Sequence, residues 1–254
     1  MKSVYTGDEK VAEFESYDEL RVGDGKPAFI YEGNELVYPA PVKDGLVLWY
    51  DFSGRTNTDS ERGIAEDLSG NGNHGTLQNF NYTSESGYDK NKLLFDGVDD
   101  SVPILNPLTN QDNSTQRWSV EMVVKVDNLN FNNLLKGWNT GITARDRNGK
   151  VRMLNYTNLT GYLYNDLKYT DIGTYIHIVA TYDYISQEVK MSVDNNIQTK
   201  LNDVDYMPSG INSEIYLLTN VVGGAASLKI YNRPLTAEEI AHNYAIEKER
   251  FGIE

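Results

Sequence analysis

The sequence predicts a mainly β protein: two antiparallel sheets packed face to face, with an N-terminal extension and one short C-terminal helix. Three observations carry this. Short apolar runs recur from Gly45 onward, and several alternate apolar and polar residues with a period of two. No helical pattern separates them, which excludes parallel βαβ units. The residues available for a core are largely aromatic and β-branched, with 18 tyrosines among them, and such side chains suit a pleated surface.

Residues 1–43 stand apart as an acidic segment short of core residues. "YEGNELVYPAPVKDG" closes the segment with two prolines and a glycine, which reads as a boundary. Within it, "AFIYEGNELVYP" predicts a hairpin, with apolar runs flanking Glu32-Gly33-Asn34-Glu35. Two strands alone are marginal in water, so this hairpin is expected to lean on a partner.

The second unit, 44–254, begins with the strand "LVLWYDF". In "RWSVEMVVKV", Trp118, Val120, Met122, Val124 and Val126 share one face, expected to meet the core. Ser119, Glu121 and Lys125 share the other, expected to meet water. "YIHIVATYDY" and "EVKMSVDN" predict a strand pair joined by a polar turn, and "SEIYLLTN" and "ASLKIYN" two further strands. The terminal helix is expected over 236–250. Thr236 and Glu239 have the spacing of a capping box, and Leu235 and Ile240 that of a hydrophobic staple. Acidic residues come first and basic residues last, as the helix dipole prefers. Ile240, Tyr244 and Phe251 form its packing side.

Charge and composition exclude several functions. A net charge of −14, from 37 acidic and 23 basic residues, repels nucleic acid and anionic lipid. Neither a nucleic acid nor a membrane is an expected partner. There is no cysteine, which excludes disulfides and thiolate metal sites and fits synthesis in a reducing cytoplasm. The opening "MKSVYTGDEKVAEF" has no apolar core of a signal peptide, and no run approaches a membrane span.

Five stretches in order, "GLVLWYDFSG", "DLSGNGNHGTLQN", "LLFDGVDDSVPI", "YIHIVATYDY" and "LKIYNRPLTAEEIAHNY", resemble the laminin-G-like, concanavalin A-like domains of bacteriophage structural proteins. The resemblance covers about residues 44–250 and implies a two-sheet jelly-roll sandwich. It implies a virion protein, made in the bacterial host cytoplasm and placed on a tail or head appendage. Residues 1–43 would attach it to other virion proteins, and self-association into a homo-oligomer is compatible with such a place. The family includes binders of carbohydrate, binders of protein and members with structural roles only, and fold does not choose among them.

"EDLSGNGNHGTLQNF" concentrates turn residues and side-chain oxygens. It is not a phosphate cradle, since no helix follows and no Lys or Arg lies between Gly63 and Tyr88. Catalysis is not expected: the family's hydrolases carry a Glu-x-Asp-x-x-Glu strand, and this chain has no such string. Two readings stay open. Asp67, Ser69, Asn71 and Asn73, with Gly72 for the bend, match the opening of an oxygen-ligand calcium loop, with Asp51, Asp99 or Asp100 as further carboxylates. Alternatively, the same side chains cap backbone groups in a tight corner.

Trp138, Tyr156, Tyr162, Tyr164 and Tyr169 lie in an asparagine-rich stretch suited to stacking on sugar rings and bonding their hydroxyls. Alternate tyrosines lining the core would give the same pattern. His177 is expected to be packed and hydrogen-bonded in a core strand, and His242 exposed on the helix. The glycosylation-like triplets at Asn81, Asn113, Asn155 and Asn158 are expected to be chance, given no secretion signal. The functional expectation is a non-enzymatic virion protein displaying a lectin-like sandwich toward host cell-wall polysaccharide or another protein. The alternatives are an accessory carbohydrate-binding module of a polysaccharide enzyme and a ligand-free decoration protein.

Overall fold

The structure, a computed structural model, describes residues 2–6, 9–14, 30–32, 35–108, 116–128, 132–136, 140–144, 150–155, 163–166, 172–201 and 214–253. It divides into two compact units, Met1–Pro41 and Val42–Glu254. The first holds two antiparallel pairs, β1 (Lys2–Thr6) with β2 (Glu9–Phe14), and β3 (Ile30–Glu32) with β4 (Glu35–Tyr38). The β3–β4 pair is the hairpin expected from its sequence. The β1–β2 pair was not.

The second unit is a mainly β antiparallel sandwich with a C-terminal helix. Its strands are β5 (Leu46–Asp51), β6 (Ile64–Ala65), β7 (Gly75–Thr76), β8 (Gly87–Asp89), β9 (Lys92–Asp96), β10 (Val102–Leu105), β11 (Arg117–Val126) and β12 (Asn132–Lys136). Then follow β13 (Thr140–Ala144), β14 (Lys150–Asn155), β15 (Leu163–Asp166), β16 (Tyr175–Asp183), β17 (Glu188–Val193), β18 (Asn196–Leu201), β19 (Glu214–Thr219), β20 (Val222–Tyr231) and α1 (Ala237–Phe251). One sheet runs β18-β17-β16-β11-β20-β9-β8, with β5 pairing the second half of β20. The other runs β10-β19-β12-β13-β14-β15.

The core collects the inward face of each strand. Trp118, Val120, Met122 and Val124 are buried there with Leu48, Tyr50, Ile178, Met191 and Leu228 of their own sheet. Ile104, Leu135, Val151, Ile215 and Leu217 belong to the other sheet. The register of β11 is therefore the one its alternation predicts, because a slip of one residue would turn its other face inward. Trp118 also packs on Tyr182 with ring centroids 5.7 Å apart.

The opposite face of β11 corrects the expectation. Ser119 and Glu121 are fully buried rather than wet, because α1 lies across the outer face of the large sheet. Phe251 packs on Val123 and Ala226, with Tyr175 and Tyr244 alongside. Glu121 is paired, not stranded. Its carboxylate receives bonds from Lys229 Nζ at 2.9 Å and Asn243 Nδ2 at 2.6 Å. Lys229 also bonds Glu247, and Arg250 bridges Glu247 to Asp51. Buried charges are tolerated only when matched in this way. Asn243 Oδ1 accepts the Val42 N–H at 2.9 Å, which ties the start of this unit to the helix.

The helix ends are those the sequence announces. Thr236 and Glu239 close a reciprocal capping box, and Gly252, at φ 64°, ends the helix in the left-handed region that favours glycine. His242 is exposed, as expected. His177 is buried on the helix-facing side, with Nε2 3.3 Å from Glu121 Oε1. That is an ion-pair distance without hydrogen-bond alignment, so only the burial follows the expectation.

Candidate functional site

The glycine-asparagine loop folds around one carboxylate. Gly70 and Gly72 sit at φ 85° and 73°, where nothing crowds a side chain and only the backbone angle demands glycine. They turn the chain so that Asp67, which is buried, faces β5. Asp67 Oδ1 accepts the Trp49 N–H at 2.9 Å and the Ser69 N–H at 3.0 Å. Oδ2 accepts Ser69 Oγ–H and the Asn73 N–H, each at 2.9 Å. Asn71 and Asn73 donate through Nδ2 to the carbonyls of Leu46 and Val47. His74 Nδ1 accepts the Asp67 N–H at 3.0 Å.

The structure thus brings Asp67, Ser69, Asn71 and Asn73 together, as the loop's sequence suggests. The bonds they make are those of a corner clasped onto β5. Both oxygens of Asp67 already hold two donors each. Asp51 does not join them, since its oxygens take Arg250, Ser53 Oγ–H and the Ser53 N–H. Asp99 and Asp100 group with Asp96 instead, their ligand atoms within 4.8 Å of one another, an arrangement that could hold a metal ion. Asp100 accepts Ser86 Oγ–H and the Asp96 N–H, each at 2.9 Å, and burial raises its pKa.

Of the aromatic candidates, Trp138, Tyr156, Tyr162 and Tyr169 lie outside the described residues. Tyr164 sits on β15, opposite Arg152, at the edge of the six-stranded sheet.

A cleft that sequence reasoning missed opens on the large sheet where β8, β9, β11 and β20 meet. In β9, Leu93 and Phe95 enter the core while Lys92, Leu94 and Asp96 face outward. Leu94 lies opposite Gly224, and Gly224 opposite Lys125. Glycines sit where these strands approach closely. A Cβ on Gly223 would meet Lys125 O at 2.1 Å, and one on Gly224 would reach Leu94 and Lys92 at 3.3 Å. The cleft holds about 340 Å³, within the range of about 300–1,000 Å³ usual for small-ligand pockets.

Leu94, Phe95 and Val222 supply the apolar part of its lining, and charged side chains supply most of the rest. Lys92 pairs with Asp89 and Lys125 with Asp127, each at 2.9 Å. Each pair offers donors and acceptors side by side, which suits a ligand rich in hydroxyls. A hydrogen bond to Lys92 and that lysine's charge lower the Asp89 pKa. The glycine doublet inside a strand run was the available signal, since such glycines mark a hollow or a close backbone approach.

No protein-family model and no curated protein matches the chain. Solved structures do. Trypanosoma rangeli sialidase in complex with sialic acid matches with a TM-score of 0.58 at 17% identity, over 83% of this chain and 34% of that one. The binding domain of Paraclostridial Mosquitocidal Protein 1 gives 0.58 at 16%, over 80% and 52%. The botulinum neurotoxin serotype D binding domain gives 0.59 at 13%, over 82% and 53%. This chain therefore spans about a third of the sialidase and about half of each toxin domain. At these identities the likeness establishes the fold alone, an antiparallel β-sandwich.

Proposed function

We propose that this protein is a non-enzymatic binding module whose outer cleft takes a saccharide, displayed on a bacteriophage particle and attached through residues 1–43. The observation that carries the binding role is the cleft itself, lined by the apolar Leu94, Phe95 and Val222 and by two ion pairs. A sugar ring has an apolar face for the first and hydroxyls for the second. The sialidase and toxin-domain neighbours support a carbohydrate or receptor ligand. Host cell-wall polysaccharide is the form proposed, with Trp138, Tyr156, Tyr162 and Tyr164 as additional stacking partners. The virion setting rests on the five ordered sequence stretches that resemble laminin-G-like phage proteins.

The non-enzymatic reading rests on the sequence, which has no Glu-x-Asp-x-x-Glu strand of the kind carried by hydrolases of the family it resembles. A second reading, an accessory module of a larger polysaccharide-degrading enzyme, draws on the chain's match to a third of a sialidase.

The test is a pull-down of the purified full chain on bacterial cell walls and isolated wall polysaccharide, beside calorimetry on soluble oligosaccharides. Saccharide binding that weakens on Lys92→Gln or Lys125→Gln, without loss of fold, supports the cleft. Failure to bind any wall or saccharide across ionic strengths would sink the glycan reading and favour a ligand-free structural role. Release of reducing ends from the same polysaccharides would overturn the non-enzymatic assignment.

A further inference from the structure

The charges of the cleft do not balance, and this bears on which saccharide it takes. Four carboxylates line it, on Glu85, Asp89, Asp96 and Asp127, against the two ammonium groups of Lys92 and Lys125. Both lysines are spent. Each is in an ion pair at 2.9 Å, with Asp89 and Asp127 respectively. Among the described residues, Glu85 and Asp96 have no cationic partner within ion-pair distance. Asp96 accepts the Val98 N–H at 2.8 Å through Oδ1, a bond that leaves its negative charge uncompensated.

The rest of the molecule does not redress the imbalance. The chain carries a net charge of −14, and Asp99 and Asp100 lie within 4.8 Å of Asp96. A hollow whose charges sum to a net excess of one sign favours ligands of the other sign and disfavours its own. A carboxylated sugar would enter against uncompensated carboxylates. A neutral sugar would find hydroxyl partners but leave Glu85 and Asp96 unmatched. A sugar bearing a free amine would supply what the site lacks.

We infer that the cleft selects saccharides carrying free amines, such as glucosamine oligomers, over their N-acetylated and anionic counterparts. This rests on the saccharide reading above and names the ligand class within it. The apolar side chains of the lining take the ring, the two ion pairs take its hydroxyls, and Glu85 with Asp96 takes the ammonium.

The experiment is calorimetry on the purified full chain with glucosamine tetramer, N-acetylglucosamine tetramer, lactose and sialyllactose, at a mildly acidic pH where amines and carboxylates are both charged. The glucosamine tetramer should bind about tenfold more tightly than the N-acetylated one, an advantage that salt erodes. Sialyllactose should bind no better than lactose. Glu85→Gln, an exposed change, should remove most of the amine preference. Glu238→Gln, which deletes an exposed charge at the start of α1, should leave it intact.

Equal weakening by both substitutions would mean a diffuse charge effect and overturn the assignment. Equal binding of the two tetramers, or tighter binding of sialyllactose than lactose, would overturn the selectivity while leaving saccharide binding standing. No binding of any of the four would overturn the saccharide reading, and this inference with it.

Discussion

Lys229 and Glu121 face one another across β20 and β11 with Nζ and Oε1 2.9 Å apart, and neither side chain is more than 1% exposed. From that pair the network reaches Glu247 and Arg250 of α1 and Asp51 of β5. Tyr231 and Asn243 complete the bonds around Glu121. The helix is thus fixed to the sheet by matched charge as well as by Ile240, Ile246 and Phe251.

Replacing Lys229 with methionine should therefore be costly. It would leave Glu121 and Glu247 buried without their shared cation, a situation that typically costs about 3–5 kcal/mol. Urea unfolding of the two proteins measures the difference. A loss under about 1 kcal/mol, the range of an exposed pair, would show that the helix is held by apolar contact alone.

The same pair sets a pH window. Burial alone would push the Glu121 carboxyl up, but the Lys229 ammonium holds it far below its ordinary value of 4.5. Its contribution is complete above that ordinary value and is lost as pH falls toward the depressed folded value. Burial would likewise lower Lys229, but Glu121 and Glu247 hold it above its ordinary 10.5. That contribution is complete below 10.5 and lost as pH rises through the raised folded value. The network's share of stability should be flat between about pH 5 and pH 10 and fall outside those limits. Urea midpoints across pH, compared between wild type and Glu121→Gln, read this directly. Identical acid limbs in the two proteins would be inconsistent with it.

Much of the fold was legible because local patterns encode it. β11 runs from Arg117 to Val126, as its alternation indicates, and Thr236 with Glu239 announces the helix start. The polar face of β11 misled because a period of two distinguishes two faces without saying what covers each. Only Lys229, Asn243 and Glu247, more than a hundred residues away, show that Glu121 meets protein rather than water. The site was less legible for the same reason. Asp67 was visible as a turn residue, but not its bond to Trp49 N–H. The cleft draws on Ser84 through Gly223, and no single stretch spells it.

Asp67 should matter for stability and not for calcium. Asp67→Ala removes the acceptors of four hydrogen bonds around a buried corner. Each buried donor left unmatched costs about 1–3 kcal/mol, so melting should fall by several degrees or more. The fall should be the same in chelator as in millimolar calcium. Any rise in melting temperature with calcium should survive in Asp67→Asn and vanish in Asp99→Asn, since Asp96, Asp99 and Asp100 are the carboxylates that cluster. Calcium stabilisation that Asp67→Asn abolishes would instead support the metal reading of the loop.

Gly223→Ala should open the sheet at the cleft. A Cβ there would lie 2.1 Å from Lys125 O, so β20 and β11 must separate locally or the protein must unfold more easily. Gly224→Ala, with Leu94 and Lys92 side-chain atoms at 3.3 Å as its closest neighbours, should be milder in stability yet press on those two lining side chains and weaken ligand binding. Thermal melts and calorimetry on both variants separate the effects. Equal destabilisation by the two would contradict the assigned roles.

The last expectation concerns residues 1–43, proposed as the attachment segment. The compact second unit starts at Val42, one residue inside the proline-bounded boundary, and Val42 N–H is held by Asn243 of the helix. A chain starting at Val42 keeps that bond, both sheets and the whole buried charge network. It should unfold cooperatively with nearly the melting temperature of the full chain. The β1–β2 and β3–β4 pairs are each two-stranded, too small to be stable alone, and their unpaired edges are suited to strand addition from another subunit. If attachment resides there, particles assembled with the truncated protein should lack it, while the truncated protein still binds saccharide. Normal incorporation of the truncated chain would place attachment in the sandwich, and loss of cooperative unfolding would show that the first unit completes the fold of the second.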